Sequence, residues 1–147
     1  MSLSDRLNED MKQAMKSQDK FRLSVIRMIR SAIKNIEIDQ RRSLDDNEVL
    51  DIISREIKQR KDSLQEFEKA GREDLAQSAK AEIAVIAEYL PQQLTEEEVK
   101  VLVQQTIQET GASSKADMGK VMAALMPKVK GRTDGKLVNQ LVQQLLT

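Results

Sequence analysis

Between residues 20 and 40 the apolar side chains Phe21, Val25, Met28, Ile29, Ala32, Ile33 and Ile36 recur every three or four positions, while Arg27, Arg30 and Lys34 fall on another face. This is the period of an α-helix burying one stripe, and a strand, whose side chains alternate, cannot produce it. The same spacing returns along most of the chain, and five glycines and two prolines in 147 residues leave few places for it to stop. With 39% apolar and 33% charged residues the sequence predicts an ordered, all-α fold. Its length suffices for one compact domain or for two small helical ones.

Caps and breakers divide the chain into about seven helical segments, at residues 3–16, 20–40, 46–70, 72–90, 96–110, 115–126 and 135–146. Asp45 with Glu48 has the spacing of a capping box, in which each side chain satisfies a backbone N–H near the other. Gly71 fits the left-handed residue that ends the third helix, and Pro91 lacks the donor needed to continue the fourth. Thr95 with Glu98 repeats the capping-box signature, and residues 91–94 before it mark the domain boundary. The expectation is an N-terminal helical hairpin module over 1–93 and a C-terminal three-helix module over 94–147. Ser113 or Ser114 and Thr133 or Asp134 are the expected caps of the last two helices. Pro127 should end or kink the sixth, presenting Lys128 to Arg132 as a turn. Six methionines, Met11, Met15, Met28, Met118, Met122 and Met126, fall on apolar stripes and read as flexible core filler.

Formal net charge is zero, yet its distribution is uneven. From Gly111 onward, Lys115, Lys120, Lys128, Lys130, Arg132 and Lys136 face only Asp117 and Asp134, a local excess of four positive charges balanced by the rest of the chain. A basic end on a neutral protein points to an anionic partner; the competing reading is a solvated surface with lysines placed against helix C-termini. Only Phe21, Phe67 and Tyr89 are aromatic, so there is no platform for stacking splayed bases, and recognition would be of shape and backbone.

Chemistry of other kinds finds little to work with. There is no cysteine and no histidine, which removes thiolate and imidazole nucleophiles and the usual zinc ligands. No glycine-rich phosphate loop is present, so no cofactor and no catalytic residue is expected. Acid clusters such as Glu96, Glu97 and Glu98 sit in helix first turns, where they complement the dipole. The first residues, MSLSDRLNED, lack the basic and apolar runs of a secretory signal. No stretch reaches the roughly 20 apolar residues of a membrane span. The expected location is cytoplasmic.

The run DMGKVMAALMPKVKGRTDG (117–135), with KQRKDSLQEF (58–67), AGREDL (70–75) and EYLPQQLTEEEV (88–99), resembles the bacterial YqeY proteins over essentially the whole chain. In that family the C-terminal part is similar to the tail domain of GatB, the subunit of the glutamine-dependent tRNA amidotransferase that holds misacylated tRNA. The resemblance implies an all-helical accessory protein whose C-terminal module binds tRNA or a tRNA-charging enzyme, without the amidotransferase's catalytic body; DNA and membrane are not expected partners. Lys120, Lys128, Lys130, Arg132 and Lys136 would then contact phosphates, with Gly119, Gly131 and Gly135 allowing close approach of the chain.

A second polar surface is expected on the third helix and the turn after it, where Arg55, Lys58, Gln59 and Arg72 lie within the family-like segments. Its competing reading is a salt-bridged exposed face, with Glu56 and Arg60 in the favourable i,i+4 order. Two other functions stay open: a helical protein–protein adaptor using the hairpin, and a contribution to amide transfer inside a larger complex, under the family's carbon–nitrogen ligase label.

Overall fold

The computed structural model describes residues 1–146 and is all-α, without a strand among them. Its helices are α1 (Leu3–Lys16), α2 (Lys20–Gln40), α3 (Asp46–Lys69), α4 (Glu73–Ala87), α5 (Glu96–Thr110), α6 (Met118–Val129) and α7 (Gly135–Leu145), with one 3-10 turn at Lys115–Asp117. By backbone proximity the chain forms two compact units, one ending at Leu90 and one beginning at Pro91.

In the first unit, Leu7 of α1, Val25, Ile26 and Ile29 of α2, Val49 and Ile53 of α3, and Ile86 and Tyr89 at the end of α4 close one apolar core. Each helix contributes the stripe that its period dictates. α3 starts at the Asp45–Glu48 capping box, in which Glu48 N donates to Asp45 Oδ1 (2.9 Å) and Asp45 N to Glu48 Oε1 (3.2 Å). It ends before Gly71, whose φ of +70° lets the chain reverse, so α3 and α4 form a tight αα-hairpin. The Arg60–Glu82 contact shows the resulting antiparallel register, because the two residues lie equally far from Gly71.

The second unit packs α5, α6 and α7 around Val99, Val103, Val121, Leu125, Val129, Val138, Leu141, Val142 and Leu146. Thr95 and Glu98 form the capping box of α5, with donor–acceptor distances of 3.1 Å in both directions. Asp134 caps α7 by accepting from Lys136 N (3.0 Å).

Three local expectations are corrected. α6 does not end at Pro127; it continues to Val129, because proline in the last turn forfeits one intrahelical bond on an exposed side while Val129 is buried in the core. Lys128 is therefore helical, and the turn is confined to residues 130–134. Neither Ser113 nor Ser114 caps by its side chain: Asp117 Oδ2 instead accepts from Ser113 N (3.0 Å), and this bond holds the Asp117 carboxyl below its usual range. Met15, Met28 and Met126 are about half exposed rather than core filler, lying at the margin of their stripes.

Candidate nucleic-acid interface

Of the second unit's basic residues, Lys120, Lys128, Lys130, Arg132 and Lys136 lie on α6, α7 and the turn between them, with Lys100 on α5 and Lys115 in the 3-10 turn, and the shape of the α6–α7 turn follows from one glycine. Gly131 has φ +73°, a left-handed conformation that costs a side-chain-bearing residue about 1–2 kcal/mol. It turns the chain sharply after Val129, so that Arg132 N donates back to Val129 O (2.9 Å). Gly119 and Gly135 have no such role: both lie at helix starts, and an added Cβ would meet nothing within 4 Å. Of the three glycines expected to admit a ligand, only Gly131 is conformationally required.

The expected phosphate-contacting residues do not behave alike. Lys128 is turned inward along α5, with Nζ 2.9 Å from Glu109 Oε2 and 3.3 Å from the hydroxyl of the buried Thr106. The Thr106 hydroxyl in turn donates to Leu102 O (2.7 Å), so Lys128 ties α6 to α5 through a satisfied polar node. Its charge is opposed by a carboxylate on the neighbouring helix, which a phosphate would have to displace. Lys130 is half-buried and also engaged within the protein. Arg132 is half-buried, and its Nε donates to Gln92 O (3.1 Å). Lys120 and Lys136 are exposed, in the first turns of α6 and α7.

Sequence reasoning missed the segment that braces this turn. Residues 91–94 have no regular structure, yet Leu94 N donates to Arg132 O (2.8 Å), and Gln93 Nε2 donates both to Gly131 O (2.7 Å) and to Pro91 O (2.9 Å). No periodicity signals such contacts, because they depend on two segments some 40 residues apart in sequence meeting in space. Glu98, at the start of α5, has its carboxyl lowered first by the Thr95 backbone N–H and to a lesser degree by the nearby Arg132 charge.

The second expected surface is only partly assembled. Arg55, Lys58 and Gln59 are exposed along one stretch of α3, whereas Arg72 lies past the hairpin turn and pairs with Asp74 (3.2 Å). The face beside them is not the exposed ion-pair ladder expected for Glu56 and Arg60. Arg60 Nη1 bonds Glu56 Oε2 (2.6 Å), its Nε bonds Glu82 Oε2 (2.8 Å), and only 11% of the Arg60 side chain is exposed. This node flanks a shallow hollow of about 420 Å³ that Ser63, Ser78 and Phe67 also line. A second charged group is built from α1, the start of α2 and the residues that follow α4. The buried Tyr89 hydroxyl donates to Asp10 Oδ2 (2.5 Å), Arg6 stacks over its ring (4.7 Å), and Arg22 bonds Glu88. Burial, then the Asp10 carboxylate, pushes the Tyr89 hydroxyl pKa well up, so it stays protonated as a donor. Among the described residues no group of three or more carboxylates is placed to hold a metal, and no helix is long and apolar enough to cross a membrane.

Curated relatives are named "Altered inheritance of mitochondria protein 41, mitochondrial": that of Lachancea thermotolerans is 45% identical over 87 residues, covering 58% of this chain and 46% of the relative. That of Kluyveromyces lactis is 42% identical over 56% of this chain and 45% of the relative, and that of Saccharomyces cerevisiae (strain YJM789) 39% identical over 58% and 47%. The chain thus spans about half the length of these relatives. Their names overturn the expectation of a cytoplasmic location, since they point to mitochondria instead. A family model described as Yqey-like protein matches residues 4–146, and with nearly the whole chain covered, this protein belongs to the YqeY family.

Proposed function

We propose that this protein is an accessory factor that binds tRNA through the second unit, using the turn between α6 and α7 and the start of α7 beside it. The observation that carries the reading is the charge excess of the segment after residue 110, combined with a turn that Gly131 and its bracing bonds hold in one conformation. Arg132 and Lys136 sit on or beside that turn and carry the proposed contacts; Lys120 lies roughly 15 Å away along the axis, at the far end of α6, and Lys130 is engaged within the protein. Lys128 contributes by fixing α6 against α5. All three aromatic residues lie before residue 90, so the second unit offers cations and backbone N–H groups but no stacking surface. Phosphate contacts of this sort position a helical RNA without reading its bases. A tRNA-charging enzyme already carrying its tRNA would meet the same surface.

Binding of bulk tRNA across a salt series tests the reading. With about two to four phosphates neutralised, log affinity should fall with log salt at a slope of roughly −1.5 to −3.5, and affinity should be on the order of micromolar. Replacing Arg132 and Lys136 by Ala should flatten the slope by about 1.5, whereas Lys128→Ala should lower stability and leave the slope nearly unchanged. A wild-type protein that shows no salt-dependent binding at ~50 mM salt refutes the proposal. A second reading, a protein–protein adaptor, is favoured by the half-exposed Phe21, Met28 and Ile38 on α2; it predicts partner capture with no dependence on Arg132.

A further inference from the structure

The four residues before α5 read as a linker, but their polar groups are committed to the basic turn. Gln93 donates both amide hydrogens, one to its own segment at Pro91 O and one to Gly131 O. Leu94 N donates to Arg132 O, and Leu94 packs against the apolar core of the unit. Arg132 returns the contact from its side chain through Nε to Gln92 O. Three bonds thus cross between a four-residue segment and a two-residue stretch of the turn, in both directions.

This arrangement selects how Arg132 can meet an anion. A guanidinium presents five N–H donors in one rigid plane. Here Nε is spent on a backbone carbonyl, no hydrogen bond from the Nη atoms is seen among the described residues, and the Glu98 carboxylate, near enough to feel the Arg132 charge, is itself bonded to the Thr95 backbone in the α5 capping box. Fixing Nε removes much of the rotamer freedom that an exposed arginine would lose on binding, and leaves the terminal Nη1/Nη2 pair as the fork for two oxygens of one phosphate. Resting on the tRNA reading above, we propose that residues 91–94 are a strap that holds Arg132 for end-on capture of a backbone phosphate, with Gln93 as its positioning residue. Strap order and phosphate binding are then linked, and by thermodynamic reciprocity each strengthens the other.

Amide hydrogen exchange and tRNA binding on the full chain test this together. In wild-type protein the Leu94 amide is protected, and bulk tRNA raises its protection further. Gln93→Ala speeds that exchange and weakens tRNA binding about five- to tenfold, the effect of one or two lost hydrogen bonds. It leaves the salt slope unchanged, because no charge is removed. Arg132→Lys keeps the charge but lacks Nε, and gives the same pattern: faster Leu94 exchange, weaker binding, unchanged slope. Thermal melting of both variants close to wild type excludes general unfolding; if Gln93→Ala melts early, Arg132→Lys alone decides. A Leu94 amide that exchanges at the open-chain rate in wild type overturns the strap. A protected Leu94 with tRNA affinity within twofold of wild type in the variants overturns the positioning role while leaving the tRNA reading standing. No tRNA binding by a wild-type protein whose Leu94 is protected refutes the tRNA reading, and the positioning role with it.

Discussion

Replacing Arg60 by Met removes a charge from a well-enclosed ionic node while nearly keeping the volume of the side chain. Arg60 makes three charge-assisted contacts to oxygen, to Glu56 Oε2 (2.6 Å), Glu82 Oε2 (2.8 Å) and Glu56 O (3.0 Å), and a weaker one from Nη2 to Met28 Sδ. Breaking a fully buried pair costs about 3–5 kcal/mol, because the remaining charge is stranded away from water. Glu56 keeps 17% of its side chain exposed and Glu82 29%, so both can recover part of their hydration. The expected loss is therefore about 2 kcal/mol, which for a chain of this size lowers Tm by roughly 4–8 °C. Urea titration and thermal melting followed by far-UV circular dichroism measure it. A double-mutant cycle with Glu82→Gln should show coupling above about 1 kcal/mol. Arg72→Ala, which breaks the exposed pair with Asp74, serves as the control and should melt like wild type. If Arg60→Met lies within about 0.5 kcal/mol of wild type, the node is energetically a surface ion pair and the argument from its burial fails.

Gly131→Ala should cost about 1–2 kcal/mol, because alanine is forced to φ +73°, whereas Gly119→Ala should be neutral or stabilise by up to about 1 kcal/mol, since its Cβ enters open space in a helix; chemical denaturation distinguishes them, and equal effects refute the distinction. Glu48 has its carboxyl lowered from 4.5 to about 2, chiefly by Arg42 and then by the Asp45 backbone N–H. With the folded value below the unfolded one, its stabilisation is present above pH 4.5 and lost as pH falls toward 2. The difference in denaturation midpoint between wild type and Glu48→Gln should accordingly narrow across that window, and a constant difference from pH 6 to 2 refutes the linkage.

Local chemistry determined the helices. The apolar stripe of α2, the Asp45–Glu48 and Thr95–Glu98 capping boxes and the left-handed Gly71 each involve residues within four positions of one another, so their geometry is written in the spacing. The excess of positive charge after residue 110 is likewise a property of the sequence alone. What each charge does was decided by tertiary structure. Lys128, Lys136 and Arg132 look equivalent as sequence, but one is opposed by Glu109 on α5, one is exposed at a helix start, and one is tethered to Gln92. Glu56 and Arg60 carry the spacing of a surface pair, and only the antiparallel return of α4 brings Glu82 over them and shields Arg60 from most of the solvent. Helix formation answers to neighbours along the chain, whereas burial, pairing and the bracing of residues 91–94 answer to neighbours across it, because close packing places side chains from distant segments within hydrogen-bonding range.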